Sequence, residues 1–279
     1  MSWQQALVAG AIQGFTEFLP VSSSGHLVIY NTLLGEAGEV DLTFVVLLHL
    51  ATLVALLFFY HRDVATLWHA FCAWVGDIFQ GEYRIRTPER RFLLLAIIAT
   101  IPPVVLGALF KLLGLTTYLE NINLVAICLA ITAVLVFTVH RSPEGIYTTG
   151  DAPFSSALFI GIMQGLAILP GISRSGSAIF GGLMGRFTKE AAVNLAFILS
   201  IPLVVGAGAL ELASAWHQGT QFVLALPQLV GFISALLSGM LAIRLVTWLA
   251  RRQHFFIFGI YCILASLYAF AVGQGLVVW

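Results

Sequence analysis

The sequence contains very little charge. Acidic and basic residues make up 9% of its 279 residues, whereas hydrophobic residues make up 59%. Soluble domains carry roughly 25% charged residues, so this composition excludes an ordinary soluble globular protein. With a mean hydropathy of +0.97, the chain is predicted to cross a membrane several times.

The sequence also has few cysteines and no net charge. The three cysteines, Cys72, Cys128 and Cys262, lie far apart without CxxC spacing, which argues against a disulfide framework or a zinc site. The 13 basic and 13 acidic residues cancel to a net charge of zero, so no nucleic-acid partner is predicted. No basic residue precedes Arg62, and a cleavable signal peptide is therefore not expected.

The polarity that is present concentrates in two stretches. QGFTEFLPVSSSGH runs from Gln13 to His26, and QGLAILPGISRSGS runs from Gln164 to Ser177. Polar groups at membrane depth are kept only with partners and usually for a function. Five residues recur at a fixed offset of 151 positions: Gln13, Gly14, Ser22, Ser24 and Gly25 match Gln164, Gly165, Ser173, Ser175 and Gly176. This predicts internal repeats over approximately 1–140 and 152–279 within a single integral-membrane domain, 1–279.

Apolar segments of about 20 residues predict membrane-spanning helices. Six full spans are expected, near residues 42–60, 92–112, 122–140, 190–210, 226–249 and 255–276. Within the polar run after the first span, Ala65 to Phe79 predicts a separate interfacial helix. The Pro102-Pro103 pair predicts a kink or local unwinding of the second span.

Residues 2–30 and 154–182 are apolar but interrupted by Pro20 and Pro170. Each predicts a re-entrant helix pair, which is tolerated at membrane depth only where protein or water surrounds it. The fold class is therefore predicted to be an all-α polytopic membrane protein with six transmembrane helices and two re-entrant helix pairs. Because three spans separate the pairs, they form an inverted-topology repeat with one site near the midplane.

The basic residues predict the orientation of the chain. By this span count ten of them fall on one face: Arg62, Arg84, Arg86, Arg90, Arg91, Arg141, Arg186, Lys189, Arg251 and Arg252. The positive-inside rule makes that face cytoplasmic and places the N-terminus outside. The first helix pair then enters the membrane from the outside, and the second enters from the cytoplasm.

The first polar stretch offers an acid and several hydroxyls. Gln13 and Glu17 share a helix face, where their oxygens suit Mg²⁺ or Ca²⁺, a substrate hydroxyl or a water; alternatively, Glu17 only pairs with Arg174. Ser23 in the serine cluster becomes a nucleophile if His26 takes its proton, or His26 activates a water directly. The structural alternative is a hydroxyl cap for the returning helix, with Ser22 as N-cap.

The second polar stretch predicts an anion site. In PGISRSG, residues 170–176, the glycines permit close backbone approach and Arg174 supplies a positively charged fork. Phosphate or diphosphate is the expected ligand. His49 lies inside a span and could reach this site, but a packing histidine is the simpler interpretation.

Together the two motifs resemble the undecaprenyl-diphosphate phosphatase family of bacteria, the bacitracin-resistance (BacA/UppP) type, and the resemblance covers essentially the whole chain. It implies a membrane enzyme that removes the terminal phosphate of the C55 polyprenyl diphosphate carrier, recycles it for peptidoglycan synthesis and confers bacitracin resistance. It assigns catalysis to Glu17, Ser23, His26 and Arg174. It assigns substrate binding to Gln13, Ser22, Ser24, Gly171, Ser173, Ser175 and Gly176.

The resemblance also implies a divalent cation, Mg²⁺ or Ca²⁺, with Glu17 as its ligand. Gln13 stands where many family members have glutamate, which leaves Glu17 as the sole acid of that motif. The expected partners are the lipid substrate, membrane lipids and a second copy of the chain in a homodimer. The expected location is the bacterial cytoplasmic (inner) membrane, with the site opening to the periplasmic face.

A transporter or flippase for an anionic polyprenyl-phosphate lipid is the alternative from another functional class. Inverted repeats with broken helices are typical of secondary transporters. Ser23 together with His26 favours the hydrolase, because transport of an anion does not require a nucleophile and a base.

Overall fold

The computed structural model describes residues 1–35, 42–81, 84–85, 87–115, 121–217, 225–251 and 254–276. Within these ranges all regular secondary structure is helical, and one isolated bridge joins Tyr147 to Phe187. The predicted all-α class is confirmed. Two of the basic residues used to predict orientation, Arg86 and Arg252, lie outside the described residues.

Ten α-helices are found in the described part of the chain. They are α1 (Trp3–Phe18), α2 (Ser23–Leu34), α3 (Leu42–Phe79), α4 (Pro88–Leu112), α5 (Ile122–Arg141), α6 (Phe154–Gly165), α7 (Arg174–Met184), α8 (Lys189–His217), α9 (Leu226–Arg251) and α10 (Phe256–Gly273). A short 3₁₀ turn, Leu166–Ile168, follows α6 within the second polar stretch.

Six of these helices are long and apolar enough to cross a membrane, namely α3, α4, α5, α8, α9 and α10. They confirm the six predicted spans. The other four, α1, α2, α6 and α7, have 16, 12, 12 and 11 residues, fewer than the roughly 20 needed to cross a bilayer. They form two pairs, each interrupted at the expected proline. The re-entrant course of these pairs and the inverted repeat stay predictions.

The main core draws on both halves of the chain. Phe18, Leu95 and Val136 from the first half belong to the same buried cluster as Phe197 and Val246 from the second. Side chains from distant parts of the sequence therefore hold the two interrupted helix pairs inside one packed bundle.

Helix α3 extends from Leu42 to Phe79 and contains one non-helical residue, Tyr60, with φ −105° and ψ 18°. This residue makes a kink that divides α3 into two arms, and the kink falls at the predicted end of the first span. The predicted helix over Ala65 to Phe79 is present in the second arm, and its position at the membrane surface stays a prediction. No glycine or proline follows Tyr60 until Gly76, so the second arm continues as a helix through the polar run.

Helix α4 continues without interruption through Pro102 and Pro103, so the predicted local unwinding does not occur, and the alternative of a kink stays a prediction. Pro103 cannot donate a hydrogen bond to the carbonyl of Ala99, four residues earlier. That carbonyl faces Gly161 of α6, where an added Cβ would overlap it and would lie 2.9 Å from the ring of Pro102. The carbonyl of Ala99, to which Pro103 cannot donate, is therefore covered by the closely packed helix α6.

Small residues bring α1 and α9 into close contact. A Cβ at Gly10 would overlap the carbonyl of Gly231, and a Cβ at Gly14 would overlap both Ser238 and the carbonyl of Ala235. Small residues spaced four apart allow this kind of backbone approach in membrane helices. This contact fixes the helix that carries Glu17 against the bundle.

We predict that Gly14→Ala lowers stability and Gly107→Ala does not. The first change forces a methyl group into α9, for which about 1–3 kcal/mol is expected. Gly107 lies within α4, where an added Cβ meets nothing within 4 Å, and alanine there favours the helix by up to about 1 kcal/mol. Thermal unfolding of both variants in detergent measures the difference. Equal unfolding midpoints would show that α1 and α9 are not closely packed.

Candidate active site

The break between α1 and α2 is a tight turn that ends at Ser22. Its φ of 71° lies in the left-handed region, which residues with side chains rarely adopt. The Ser22 hydroxyl accepts a hydrogen bond from the N–H of Gly25 at 3.4 Å and so caps α2. Ser22 is therefore the N-cap that the sequence indicated, and Ser23 is the first residue of the helix.

The second break is held by a side chain from a neighbouring span. Gly171 has a φ of 99°, and a Cβ there would lie 2.6 Å from the Cβ of Cys128, so only glycine fits. The Thr132 hydroxyl of α5 donates to the carbonyl of Gly171 at 2.7 Å and accepts from the N–H of Ser173 at 3.0 Å. The Ser173 hydroxyl in turn accepts from the N–H of Gly176 at 3.1 Å and caps α7.

The two turns contact each other directly. The N–H of Gly171 donates to the Ser22 hydroxyl at 3.1 Å, and the Ser175 hydroxyl donates to the carbonyl of Leu19 at 3.1 Å. A Cβ at Gly25 would lie 2.9 Å from the Cα of Gly171. The N-termini of α2 and α7 therefore meet at one place, and their dipoles and free N–H groups favour an anion there.

Glu17 is the centre of a polar cluster at this junction. One carboxylate oxygen forms an ion pair with Arg174. The other accepts hydrogen bonds from the Ser23 hydroxyl at 2.6 Å and from the Gln13 amide at 3.0 Å, and the His49 Nε2 lies 3.9 Å away. Only 5% of the Glu17 side chain is exposed, against 25% of Arg174, so the arginine is the more accessible partner.

These groups surround a cavity of about 190 Å³. Both turns line it, together with residues of α3 and α8. Its walls are formed by Thr16, Glu17, Ser22, Ser23, Ser24, His49, Ala167, Ile172, Ser173, Arg174, Val204, Ala207 and Gly208. The acid, the serine and the arginine of the two sequence motifs thus share one cavity.

His26 does not face this cavity. Its Nδ1 bonds to the carbonyl of Ser22 at 2.7 Å, and its Nε2 bonds to the hydroxyl of Tyr261 at 2.7 Å. These two bonds turn the ring away from Ser23, whose hydroxyl donates to Glu17 instead. The predicted pairing of Ser23 with His26 as its base is therefore not formed in the described structure, and the carboxylate occupies that place.

The predicted substrate-binding residues fall into two groups. Three line the cavity: Ser22, Ser24 and Ser173. Four support it from behind: Gln13, fully buried against Glu17, and Gly171, Ser175 and Gly176 in the second turn. The second group shapes the turns and orients the first.

Two polar side chains from the membrane-spanning helices, His49 and Thr132, contact the site although they were not assigned to it from the sequence. His49 lines the cavity, with its Nδ1 bonded to the carbonyl of Val45 at 2.9 Å and its Nε2 directed towards Glu17. The sequence signal for a role of His49 in the site was that this histidine lies inside an apolar span, one helix away from the motifs. No sequence signal marked Thr132. A threonine whose hydroxyl only bonds the backbone of its own helix would occur in the same apolar sequence context.

The donor groups around Glu17 suit a hard divalent cation that is shared with a ligand. The Gln13 Oε1 is buried and has no hydrogen-bond partner, and it lies on the same helix face as the Glu17 carboxylate. In the described part of the chain no group of three His, Cys, Asp or Glu residues could hold a metal by itself. Mg²⁺ commonly takes one or two protein oxygens and completes its shell with phosphate and water, so these residues fit such a site.

The sequence was compared with known proteins. A family model described as "Bacitracin resistance protein BacA" matches residues 6–268. The undecaprenyl-diphosphatase of Methanosphaera stadtmanae is 39% identical over 269 residues, covering 94% of this chain and 95% of the relative. That of Methanobrevibacter smithii is 37% identical over 269 residues, with 95% and 96% coverage, and that of Alkaliphilus metalliredigens is 35% identical over 262 residues, with 94% and 95% coverage. A match of this extent, on a chain whose two motifs share one cavity, shows that the protein belongs to the bacitracin resistance protein BacA family.

Proposed function

We propose that this protein is an integral-membrane phosphatase that hydrolyses undecaprenyl diphosphate, a C55 polyprenyl diphosphate, to the monophosphate and inorganic phosphate. The observation that carries the proposal is the cluster of Glu17, Ser23 and Arg174 where the N-termini of α2 and α7 meet. The names of the relatives support the same reaction. The activity would recycle the lipid carrier for peptidoglycan synthesis and confer bacitracin resistance.

The arrangement suits a phosphate group that enters from the open side of the cavity. Arg174 is the more exposed member of its ion pair, so its guanidinium can exchange the carboxylate of Glu17 for phosphate oxygens. The guanidinium fork and the N–H groups at the starts of α2 and α7 then surround the phosphate. Donors fixed in this way stabilise the negative charge that moves onto the leaving group.

The Ser23 hydroxyl is placed to act as nucleophile. Its oxygen forms a bond to the terminal phosphorus while the bond from that phosphorus to the bridging oxygen breaks, and the lipid monophosphate leaves. The hydroxyl proton passes to the Glu17 oxygen that already accepts it at 2.6 Å. Water then hydrolyses the phosphoserine and releases inorganic phosphate. Direct attack by a water activated at Glu17 is the alternative route.

The other predicted residues hold this arrangement in place. Gln13 orients the carboxylate of Glu17 through its amide. His26 fixes the start of α2 through the carbonyl of Ser22, a positioning role in place of the base role expected from the sequence. A divalent cation, Mg²⁺ or Ca²⁺, held by Glu17 and the Gln13 oxygen would offset phosphate charge.

The location and partners are part of the proposal. The six apolar helices make this a multi-pass membrane protein. The distribution of basic residues supports a bacterial cytoplasmic membrane orientation in which the cavity opens to the periplasmic side. A homodimer is kept as a proposal for the oligomeric state.

Purified protein in detergent should release inorganic phosphate from a polyprenyl diphosphate when Mg²⁺ or Ca²⁺ is present and should lose this activity in EDTA. Glu17→Gln should reduce kcat by about 10²–10⁴, the usual effect of removing a general base. Asp63→Asn, a change to an exposed carboxylate on α3, is the matched control and should keep wild-type activity. Binding of the lipid without phosphate release would instead favour the transporter or flippase.

The covalent route predicts that a phosphoserine can be trapped at Ser23. Rapid acid quenching with a substrate labelled on its terminal phosphate, followed by mass spectrometry, should locate the label on that residue. Ser23→Ala should abolish both label and turnover, whereas Ser200→Ala, at a hydroxyl that bonds only its own helix at the carbonyl of Ala196, should retain them. Near-normal turnover by Ser23→Ala would show that water attacks directly.

A further inference from the structure

A second, larger cavity lies on the outside of the bundle between α3, α4 and α8. We call it the α3–α4–α8 groove, and its volume is about 620 Å³. It is lined by Val64, Leu67, Trp68, Phe71, Leu93, Ala96, Ile97, Thr100, Ile101, Val104, Val105, Ile198, Ile201 and Pro202. None of these residues belongs to the two sequence motifs.

The groove offers very little polarity to a ligand. Twelve of its residues have wholly hydrocarbon side chains, the thirteenth is Trp68 with a single indole N–H, and the hydroxyl of Thr100 donates to the carbonyl of Ala96 in its own helix at 2.8 Å. Among the described residues no charged side chain lines it. A ligand that fits this surface is therefore a hydrocarbon chain.

One end of the groove adjoins the active-site cavity. On α8, Ile201 and Pro202 line the groove, while Val204, less than one turn later, lines the cavity. On the other wall of the groove, Val104 of α4 directly follows Pro103. Pro103 packs against Gly165, because a Cβ added to Gly165 would lie 3.5 Å from it. Gly165 leads into Ala167, which lines the cavity.

The far end of the groove lies well away from the site. It is formed by α3 between Val64 and Phe71, beyond the non-helical residue Tyr60. Along α4 the lining runs from Leu93 to Val105, which at 1.5 Å per residue is about 18 Å. That length is slightly more than the roughly 15 Å of half a hydrocarbon core, so the groove can hold one hydrocarbon chain along its length.

We propose that the α3–α4–α8 groove binds the polyprenyl chain of the substrate while the diphosphate occupies the cavity at Arg174. This rests on the proposed function, since the occupant is the tail of that substrate. Lipid is as apolar as the groove, so the binding free energy comes from close packing and not from a transfer out of water. A chain too short to fill the groove makes fewer of these contacts, so a long chain is favoured over a short one and the effect on turnover is moderate.

The test fills the groove and varies the chain. Ile97→Trp places a large ring in the part of the groove distant from the cavity, and it should reduce kcat/KM for the C55 diphosphate about tenfold relative to that for the C15 diphosphate. Val134→Trp is the matched control, because Val134 is 64% exposed on α5 and lines neither cavity. It should leave the ratio unchanged.

A third variant tests whether the polyprenyl chain lies in a different cleft. A smaller cleft of about 330 Å³ beside His26 is lined by Leu33 and Tyr261 among others, and Leu33→Trp fills it. If Leu33→Trp changes the C55 to C15 ratio and Ile97→Trp does not, the tail lies in that cleft and the proposal is overturned. Equal ratios in all three variants would mean that the groove holds only ordinary membrane lipid.

A binding measurement separates this proposal from the activity. With a benzophenone amino acid in place of Ile97, light should attach a labelled C55 monophosphate in mixed micelles, and excess unlabelled C55 monophosphate should prevent this. With the benzophenone amino acid in place of Val134, attachment of the labelled lipid should stay at the background level, which is the level that remains at position 97 when excess unlabelled C55 monophosphate is present. Attachment at position 97 that unlabelled lipid does not reduce would overturn the proposal, whether or not the protein releases phosphate.

Discussion

The ion pair between Glu17 and Arg174 is the interaction on which the site depends. An isolated charge at membrane depth costs several kcal/mol or more, and an ion pair there survives only with good geometry and further hydrogen bonds. Glu17 has both, because Ser23 and Gln13 donate to the carboxylate oxygen that Arg174 leaves free. The two residues are 157 positions apart in sequence, and their contact joins the two turns around one charged cavity inside an apolar bundle.

The two turns can meet because each satisfies the backbone groups of the other. A helix that is broken inside an apolar bundle leaves N–H and carbonyl groups that need hydrogen-bond partners. Ser22 accepts from the backbone of the second turn and Ser175 donates to the backbone of the first, while Thr132 of α5 holds the second turn. The hydroxyls in both motifs therefore serve structure as well as chemistry, and they direct the N-termini of α2 and α7 to the same place.

The sequence predicted the large features because they follow from composition and local pattern. Six apolar runs became six long helices, and the prolines marked both breaks. It failed where a contact from elsewhere in the chain decides the outcome: Tyr261 and the Ser22 carbonyl turn His26 away from Ser23, and Thr132 and His49 reach the site from separate spans. The end of the first span was predicted correctly at Tyr60, where the apolar run ends, but a single kinked residue joins this span to the helix that follows it.

A double-mutant cycle on Glu17 and Arg174 tests the central claim most directly. The quantity to measure is kcat/KM for Glu17→Gln, Arg174→Met and the double variant. If the two side chains act as one pair, the double variant should lose about as much as the worse single variant, with a coupling free energy of at least about 1 kcal/mol. Losses that add to within about 0.5 kcal/mol, as expected for distant independent residues, would contradict a shared site formed by the two turns.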